Sequence, residues 1–257
     1  MPPDTILSEI QKESFHENGF VIVRQLFDAD EMRRIEAWTN EVVAMPEVPG
    51  NHMVYYEENL REPGKRVLQR IENFSPYHEK FWELFNSPKM CSAVAELFGE
   101  PAVLFKEKIN FKLPGGGGFK LHQDQQAGWG VYADIFITML VSIDPSTQEN
   151  GCLELAAGHH RKGLVGKEWE PLNEEDASRE GFALVPFTSD PGDAAFFDSY
   201  APHQSHPNQT NKPRRVLYVT YNKASAGDHR VRYYADKRRS FPPDIEREPG
   251  KPYVFRV

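Results

Sequence analysis

A chain of 257 residues with 17 Phe, 10 Tyr and 26% charged residues has enough apolar side chains for a packed core and enough surface charge to stay dissolved, which excludes a disordered or fibrous polypeptide. Thirty basic residues against 38 acidic ones leave a net charge of −8, and no Lys/Arg stripe alternates with aromatics, which excludes a nucleic-acid groove. Nowhere do about 18 apolar residues run together, the start MPPDTILSEIQKESF has no basic and then apolar leader, and Cys91 and Cys152 are too few for a disulfide scaffold, so the expected setting is a reducing cytoplasm without a membrane partner.

No repeat or long linker divides the chain, so one domain over residues 1–257 is expected: a helical scaffold to about residue 100, a β core from about 101 to 225, and a C-terminal tail. TILSEIQKESFHENG predicts a helix that Asn18-Gly19 ends before the short apolar run FVIV. In LFDADEMRRIEAWTNEVV, Asp28 can cap with Glu31 three residues on, and Met32, Ile35, Thr39 and Val42 form a helical stripe. SPKMCSAVAELFG repeats the logic, with Ser87 as cap, Pro88 in the first turn and Gly99 as stop.

From residue 101 the period changes to two. VLFKEKINFKL sets Phe105, Glu107, Ile109 and Phe111 on one side and Lys106, Lys108, Asn110 and Lys112 on the other, a row that usually means a solvated face. DIFITMLVSI separates Ile137, Met139 and Val141 from Phe136, Thr138, Leu140 and Ser142 in the same way. CLELA, FALVPF, DAAFFD and RVLYVTYN are further strands divided by turns such as SDPGD, and such a succession argues for a sandwich, jelly roll or barrel. The Arg- and Pro-rich tail from Ala226 is expected to pack along the outside.

The chemistry begins at HQD. In an extended segment side chains repeat with period two, so His122 and Asp124 can point the same way and share a metal. That pair alone is weak evidence, but HQSHPNQTNKPRR follows the strand run and supplies His203, Ser205 and, eleven residues past His203, Arg214. Two histidines and one carboxylate make the facial triad that suits non-haem iron(II) and leaves coordination positions open. A 2-oxo acid can chelate at two of them and leave one for dioxygen, while its far carboxylate calls for a planar bidentate cation, a need that Arg214 fits.

KINFKLPGGGGFKLHQD, ENGCLELAAGHHRKG, GDAAFFDSYAPH and HQSHPNQTNKPRR together resemble the phytanoyl-CoA dioxygenase family of iron(II)- and 2-oxoglutarate-dependent oxygenases, over residues 15–222. The resemblance implies a mainly β fold with flanking helices, the cupin-like double-stranded β-helix or jelly roll. It also implies His122, Asp124 and His203 as metal ligands, Arg214 on the distal carboxylate of 2-oxoglutarate, Ser205 near that carboxylate, and Lys108, Asn110 and Thr138 as further cosubstrate residues. A carboxylate at Asp124 fills the place that chloride-transferring relatives leave for halide, so hydroxylation with O2 is expected. The family's PGSH reads AAGHH here, which bears on a local turn and not on the metal.

Other residues divide between functional and ordinary readings. His206 competes with His203, but lies only eight residues from Arg214, and His203 has the family spacing. Trp129, just past the ligands, is a candidate wall of the substrate pocket or plain core, and Arg161 beside His159 and His160 is a candidate contact for an anionic substrate or a charged loop. Arg70, Glu72 and Asn73, in the possible strand QRIENFS, form an unusually polar set that either borders the cavity or is salt-bridged scaffold. GGGG at 115–118 completes no phosphate loop and reads as a flexible lip above the metal. The expected activity is therefore hydroxylation of an unactivated C–H bond in a small polar or anionic metabolite, a phosphonate among the candidates, with no oligomeric state specified. A cupin-like metalloenzyme that does not use 2-oxoglutarate and a catalytically silent ligand-binding jelly roll remain as rivals.

Overall fold

The structure is a computed structural model and describes residues 5–254. Helix α1 (Glu9–Asn18) opens on a Ser8–Gln11 capping box and stops at Gly19, whose φ of +80° suits glycine. Strand β1 (Phe20–Val23) leads to α2 (Ala29–Ala44), where Asp28 and Glu31 cap reciprocally and Met32, Ile35, Thr39 and Val42 are the buried stripe. Strands β2 (Met53–Glu58) and β3 (Arg66–Glu72) form a hairpin inside the stretch read as helical. Next come α3 (Glu79–Phe85) and α4 (Pro88–Phe98), the latter capped by Ser87 and ended by Gly99.

The β region comprises β4 (Ala102–Lys112), β5 (Phe119–His122), β6 (Phe136–Ser142), β7 (Leu153–Ala156), β8 (Leu184–Phe187), β9 (Ala194–Asp198), β10 (His203–Ser205) and β11 (Arg214–Lys223). Helix α5 (Glu174–Glu180) precedes β8, and α6 (Arg230–Ser240) follows the last strand. A seven-stranded sheet of order β1-β9-β6-β11-β4-β3-β2 and a four-stranded sheet of order β5-β10-β7-β8 are antiparallel throughout, the architecture of a jelly roll with flanking helices.

Both faces of the large sheet are covered. Ile109, Ile137, Met139, Val141, Leu217 and Val219 pack against Phe74, Phe81 and Phe85 of the helical layer. Leu140, Phe197, Val216 and Tyr218 meet Leu153, Leu155 and Phe187 of the small sheet. Burying each such side chain contributes about 1.5–3 kcal/mol. The alternation along β4 therefore separates two interiors, and Lys106, Asn110 and Lys112 are buried inside the barrel instead of facing water. A strand lining a polar cavity carries the same period as one facing solvent.

The tail also departs from expectation. Glu107, fully buried on the outer face of β4, accepts two hydrogen bonds from Arg230 and one from the backbone of Ser75, and the Tyr234 hydroxyl donates to its carbonyl at 3.0 Å. This clamp docks α6 across the barrel mouth, where Tyr233 packs with Phe105, Trp129 and Phe136. Among the described residues no helix is long and apolar enough to cross a membrane.

Candidate active site

Backbone pairing sets the site. His203 on β10 stands directly opposite His122 at the end of β5, and the rings face each other at 4.3 Å between centroids. Gln123 remains extended (φ −107°, ψ 136°), so Asp124 returns to the side of His122 before the chain enters a 3-10 turn. Each imidazole Nε2 lies 4.0 Å from the same carboxylate oxygen of Asp124, and the three potential ligand atoms lie within 4.8 Å of one another.

The histidine tautomers suit a metal. Nδ1 of His122 meets the Lys120 carbonyl at 2.6 Å and Nδ1 of His203 the Ala201 carbonyl at 2.9 Å. With both Nδ1 atoms donating, each Nε2 lone pair is left facing the gap, the usual outer-shell arrangement of a metal-bound imidazole. Burial, aided by the ring of His203, pushes His122 down to about 3, and burial likewise lowers His203. Burial alone raises Asp124, but His203, Lys108 and His122 outweigh it and keep the carboxyl below its usual range. Two neutral nitrogens and one carboxylate oxygen form a donor set that fits iron(II).

The turn carrying Asp124 is tied down by glutamines. Gln123, wholly buried, donates to the carbonyls of Gly163 (2.8 Å) and Tyr200 (2.7 Å) and accepts from the Val165 backbone at 2.8 Å. Gln126 reaches the carbonyls of Lys167 and Glu170. The four glycines are a fitted turn and not a loose lip: Gly117 donates to Glu57, and a Cβ at Gly118 would lie 2.5 Å from the Ser205 carbonyl. Glycine there lets the start of β5 approach β10.

A cavity of about 60 Å³ opens beside the triad. Its wall includes Lys108, Asn110, Thr138, Ser205 and Trp129, so these five sequence candidates converge with the three potential ligands. The Thr138 hydroxyl meets Asp124 at 3.4 Å and Thr220 at 2.9 Å, and the Lys108 ammonium lies 4.9 Å from the Tyr218 ring centre. Burial and the neighbouring Lys106 bring Lys108 down to about 8. Asn110 keeps a buried side-chain oxygen with no hydrogen-bond partner among the described residues.

Arg214 is 1% exposed and stands opposite Lys112 in the β11–β4 register. Its Nη2 donates to the Gly151 carbonyl, and its charge lies beside the phenol of Tyr218, which lines the cavity. Nε has no hydrogen-bond partner among the described residues. Lys112 donates to the same Gly151 carbonyl at 3.2 Å and to that of His206, and burial together with Arg214 pushes its ammonium down to about 6. Two buried basic side chains whose hydrogen bonds among the described residues go to backbone carbonyls are prepared for an anion.

Arg161 does not join this group. It is exposed and donates to the His16 carbonyl, in a 3-10 turn that adds nothing to the cavity wall. The side chain of His206 is 59% exposed and turned to Glu154, and the histidine adjacent to Asp124 is His203. Arg70 and Glu72 line the cavity, together with Lys106, Tyr233 and Lys237. Tyr233 and Lys237 had no local signal, because they come from a helix whose docking depends on Glu107, about 120 residues earlier.

Comparison with known proteins adds three findings. A sequence profile of the family Phytanoyl-CoA dioxygenase (PhyH) matches residues 15–216. The 2-aminoethylphosphonate dioxygenase of Uncultured bacterium HF130_AEPn_1 is 40% identical over 244 residues, 95% of this chain and 92% of that protein, and the methylphosphonate hydroxylase of Gimesia maris is 38% identical over 93% of this chain and 89% of that protein. A crystal structure of EctD from S. alaskensis with 2-oxoglutarate and 5-hydroxyectoine shares the fold, with a TM-score of 0.75 and 21% identity over 88% of this chain and 79% of that chain.

Proposed function

The chain belongs to the phytanoyl-CoA dioxygenase family and is a 2-oxoglutarate-dependent dioxygenase, and from that premise we propose that it hydroxylates a small organophosphonate at the carbon bonded to phosphorus. The observation that carries this reading is the character of the cavity: about 60 Å³, with Arg70, Lys106, Lys108 and Lys237 on its wall against Glu72 and Asp124. A wall on which basic side chains outnumber carboxylates favours an anion over a neutral osmolyte. The two relatives named for phosphonate substrates agree with that chemistry. Methylphosphonate has C–H bonds only on the carbon attached to phosphorus, which fixes where a hydroxylase of that compound must act.

His122, Asp124 and His203 are the residues we assign to iron(II), with Arg214, Lys112, Tyr218 and Ser205 receiving the distal carboxylate of 2-oxoglutarate. Bound iron(II), with 2-oxoglutarate and O2, supplies the oxidation, in which the oxo acid becomes succinate and CO2 and the second oxygen atom enters the substrate C–H bond. The chain's own contribution is placement. Lys120 and Ala201 carbonyls fix both ring orientations, Gln123 and Gln126 hold the Asp124 turn, and Trp129 and Phe197 line an aromatic wall that excludes water. Lys108 and Asn110 line the cavity on β4, between Lys106 and Lys112 in the strand, and are assigned to contact with the oxo acid. Membership of the family sets aside both the 2-oxoglutarate-free cupin and the silent binding protein.

The test is succinate formation from 2-oxoglutarate with iron(II) and O2, run against 2-aminoethylphosphonate, methylphosphonate, ectoine and phosphorus-free analogues, with phosphorus NMR to identify the product. We expect phosphonate-dependent succinate, one equivalent per hydroxylated phosphonate. Turnover with a phosphorus-free compound and none with either phosphonate would refute the assignment.

A further inference from the structure

Resting on the phosphonate reading above, we propose that Lys106, Arg70 and Lys237 form the subsite that grips the phosphonate group, with Glu72 as their counter-charge in the empty enzyme. Glu72 is 1% exposed and accepts from Arg70 Nε at 2.7 Å and from Lys237, while Lys106 stands 3.9 Å away. Burial by itself raises the Glu72 carboxyl, but Lys237, Lys106 and Arg70 outweigh it and hold it ionised far below the usual range. Among the described residues, Glu72 thus meets three basic side chains of the cavity wall, Arg70, Lys106 and Lys237, in a largely buried cluster. Charge buried in this way is costly unless a ligand balances it, and a fully ionised phosphonate carries two negative charges.

The position of the cluster matches the role. Lys106 pairs across β11 with Thr220, whose hydroxyl bonds Thr138 beside Asp124, so this cluster borders the proposed metal ligands. Its ammonium lies 5.2 Å from the ring centres of both Trp129 and Tyr233, and its nearest ionic partner among the described residues is Glu72 at 3.9 Å. Lys112, opposite Arg214, is six residues farther along β4, roughly 20 Å at strand rise. The two groups of basic side chains are thus well separated along β4, and cosubstrate and substrate need not compete for the same ones. The three grips come from different elements: Lys106 from β4, Arg70 from the edge hairpin and Lys237 from α6.

The experiment is anaerobic calorimetry on the full chain loaded with manganese(II), titrating 2-oxoglutarate and then methylphosphonate into the parent, Lys106→Met, Lys237→Met and Arg214→Met. We expect each lysine variant to weaken methylphosphonate binding by about 30-fold or more while 2-oxoglutarate affinity stays within about threefold, and Arg214→Met to show the reverse order. Retained 2-oxoglutarate affinity also certifies that a variant is folded, and Lys106→Gln repeats the measurement with a polar side chain. If the parent binds and hydroxylates methylphosphonate while the lysine variants bind it as the parent does, the subsite is refuted and the phosphonate activity stands. Equal loss of both ligands in both lysine variants overturns the subsite too. A parent that neither binds nor hydroxylates any phosphonate removes the functional reading and this subsite together.

Discussion

Replacing Arg214 by methionine should uncouple cosubstrate binding from both metal binding and folding. Arg214 and Lys112 donate to one carbonyl, that of Gly151, and burial together with their mutual repulsion pushes Lys112 down to about 6. Methionine ends that repulsion and fills much of the same buried volume, so the thermal midpoint of the ligand-free variant should equal or exceed that of the parent. With 2-oxoglutarate the sign reverses, because removing one partner of a buried guanidinium–carboxylate pair costs about 3–5 kcal/mol. The dissociation constant should therefore rise about 150- to 4,000-fold. Calorimetric titration of manganese(II) and then of 2-oxoglutarate, alongside differential scanning calorimetry of the free protein, measures all three quantities. A variant that holds 2-oxoglutarate within about threefold of the parent, or that loses metal to the same degree, would refute the assignment of Arg214.

Three further outcomes follow from the same geometry. Lys112, pushed down to about 6 by burial and Arg214 from about 10.5 in the unfolded chain, binds fewer protons folded than unfolded between those values, so stability should climb as pH rises through that window, by up to about 1.4 kcal/mol per unit. Urea unfolding at pH 6.5 and 8.5 should show the climb in the parent and a flatter profile in Lys112→Met; equal slopes would contradict it. Gly118→Ala drives a Cβ toward the Ser205 carbonyl, so it should cost about 1–3 kcal/mol and weaken metal binding by disturbing the strand pair that carries both histidines, and an alanine variant of parental stability would argue against that close fit. Asp124→Ala should lower metal affinity by more than the 10- to 100-fold typical of losing an outer-shell partner, as read by competition with a chelator, and full metal occupancy in that variant would exclude Asp124 as a ligand.

Local chemistry made several elements readable in advance. Asp28 with Glu31, and Ser87 with Gly99, marked helix ends because capping acts within four residues. HQD and His203 could be paired in thought because period two and chain order place them on neighbouring strands, and the structure brings them face to face. The Lys106–Lys112 row was misread because alternation reports two faces without saying what each one meets. Of the β2–β3 hairpin only a possible strand at QRIENFS was legible, and its inward Arg70 and Glu72 make sense once Lys237 is present. Tyr233 and Lys237 were out of reach of any window, since the ion pair that positions them spans 123 residues. Arg161, read as a candidate by its proximity to His159 and His160, is exposed and donates to the carbonyl of His16 in α1.

The clamp between Glu107 and Arg230 fixes the C-terminal helix seven residues before Lys237, about 10 Å of helical rise from the cavity wall. Most of the cavity wall nearest His122, Asp124 and His203 thus comes from the barrel strands, with Lys106 among it, while Arg70 is brought by the edge hairpin and Lys237 by the anchored helix. Changes in that hairpin or helix would recut one side of the chamber and leave the strands that carry the two histidines in place.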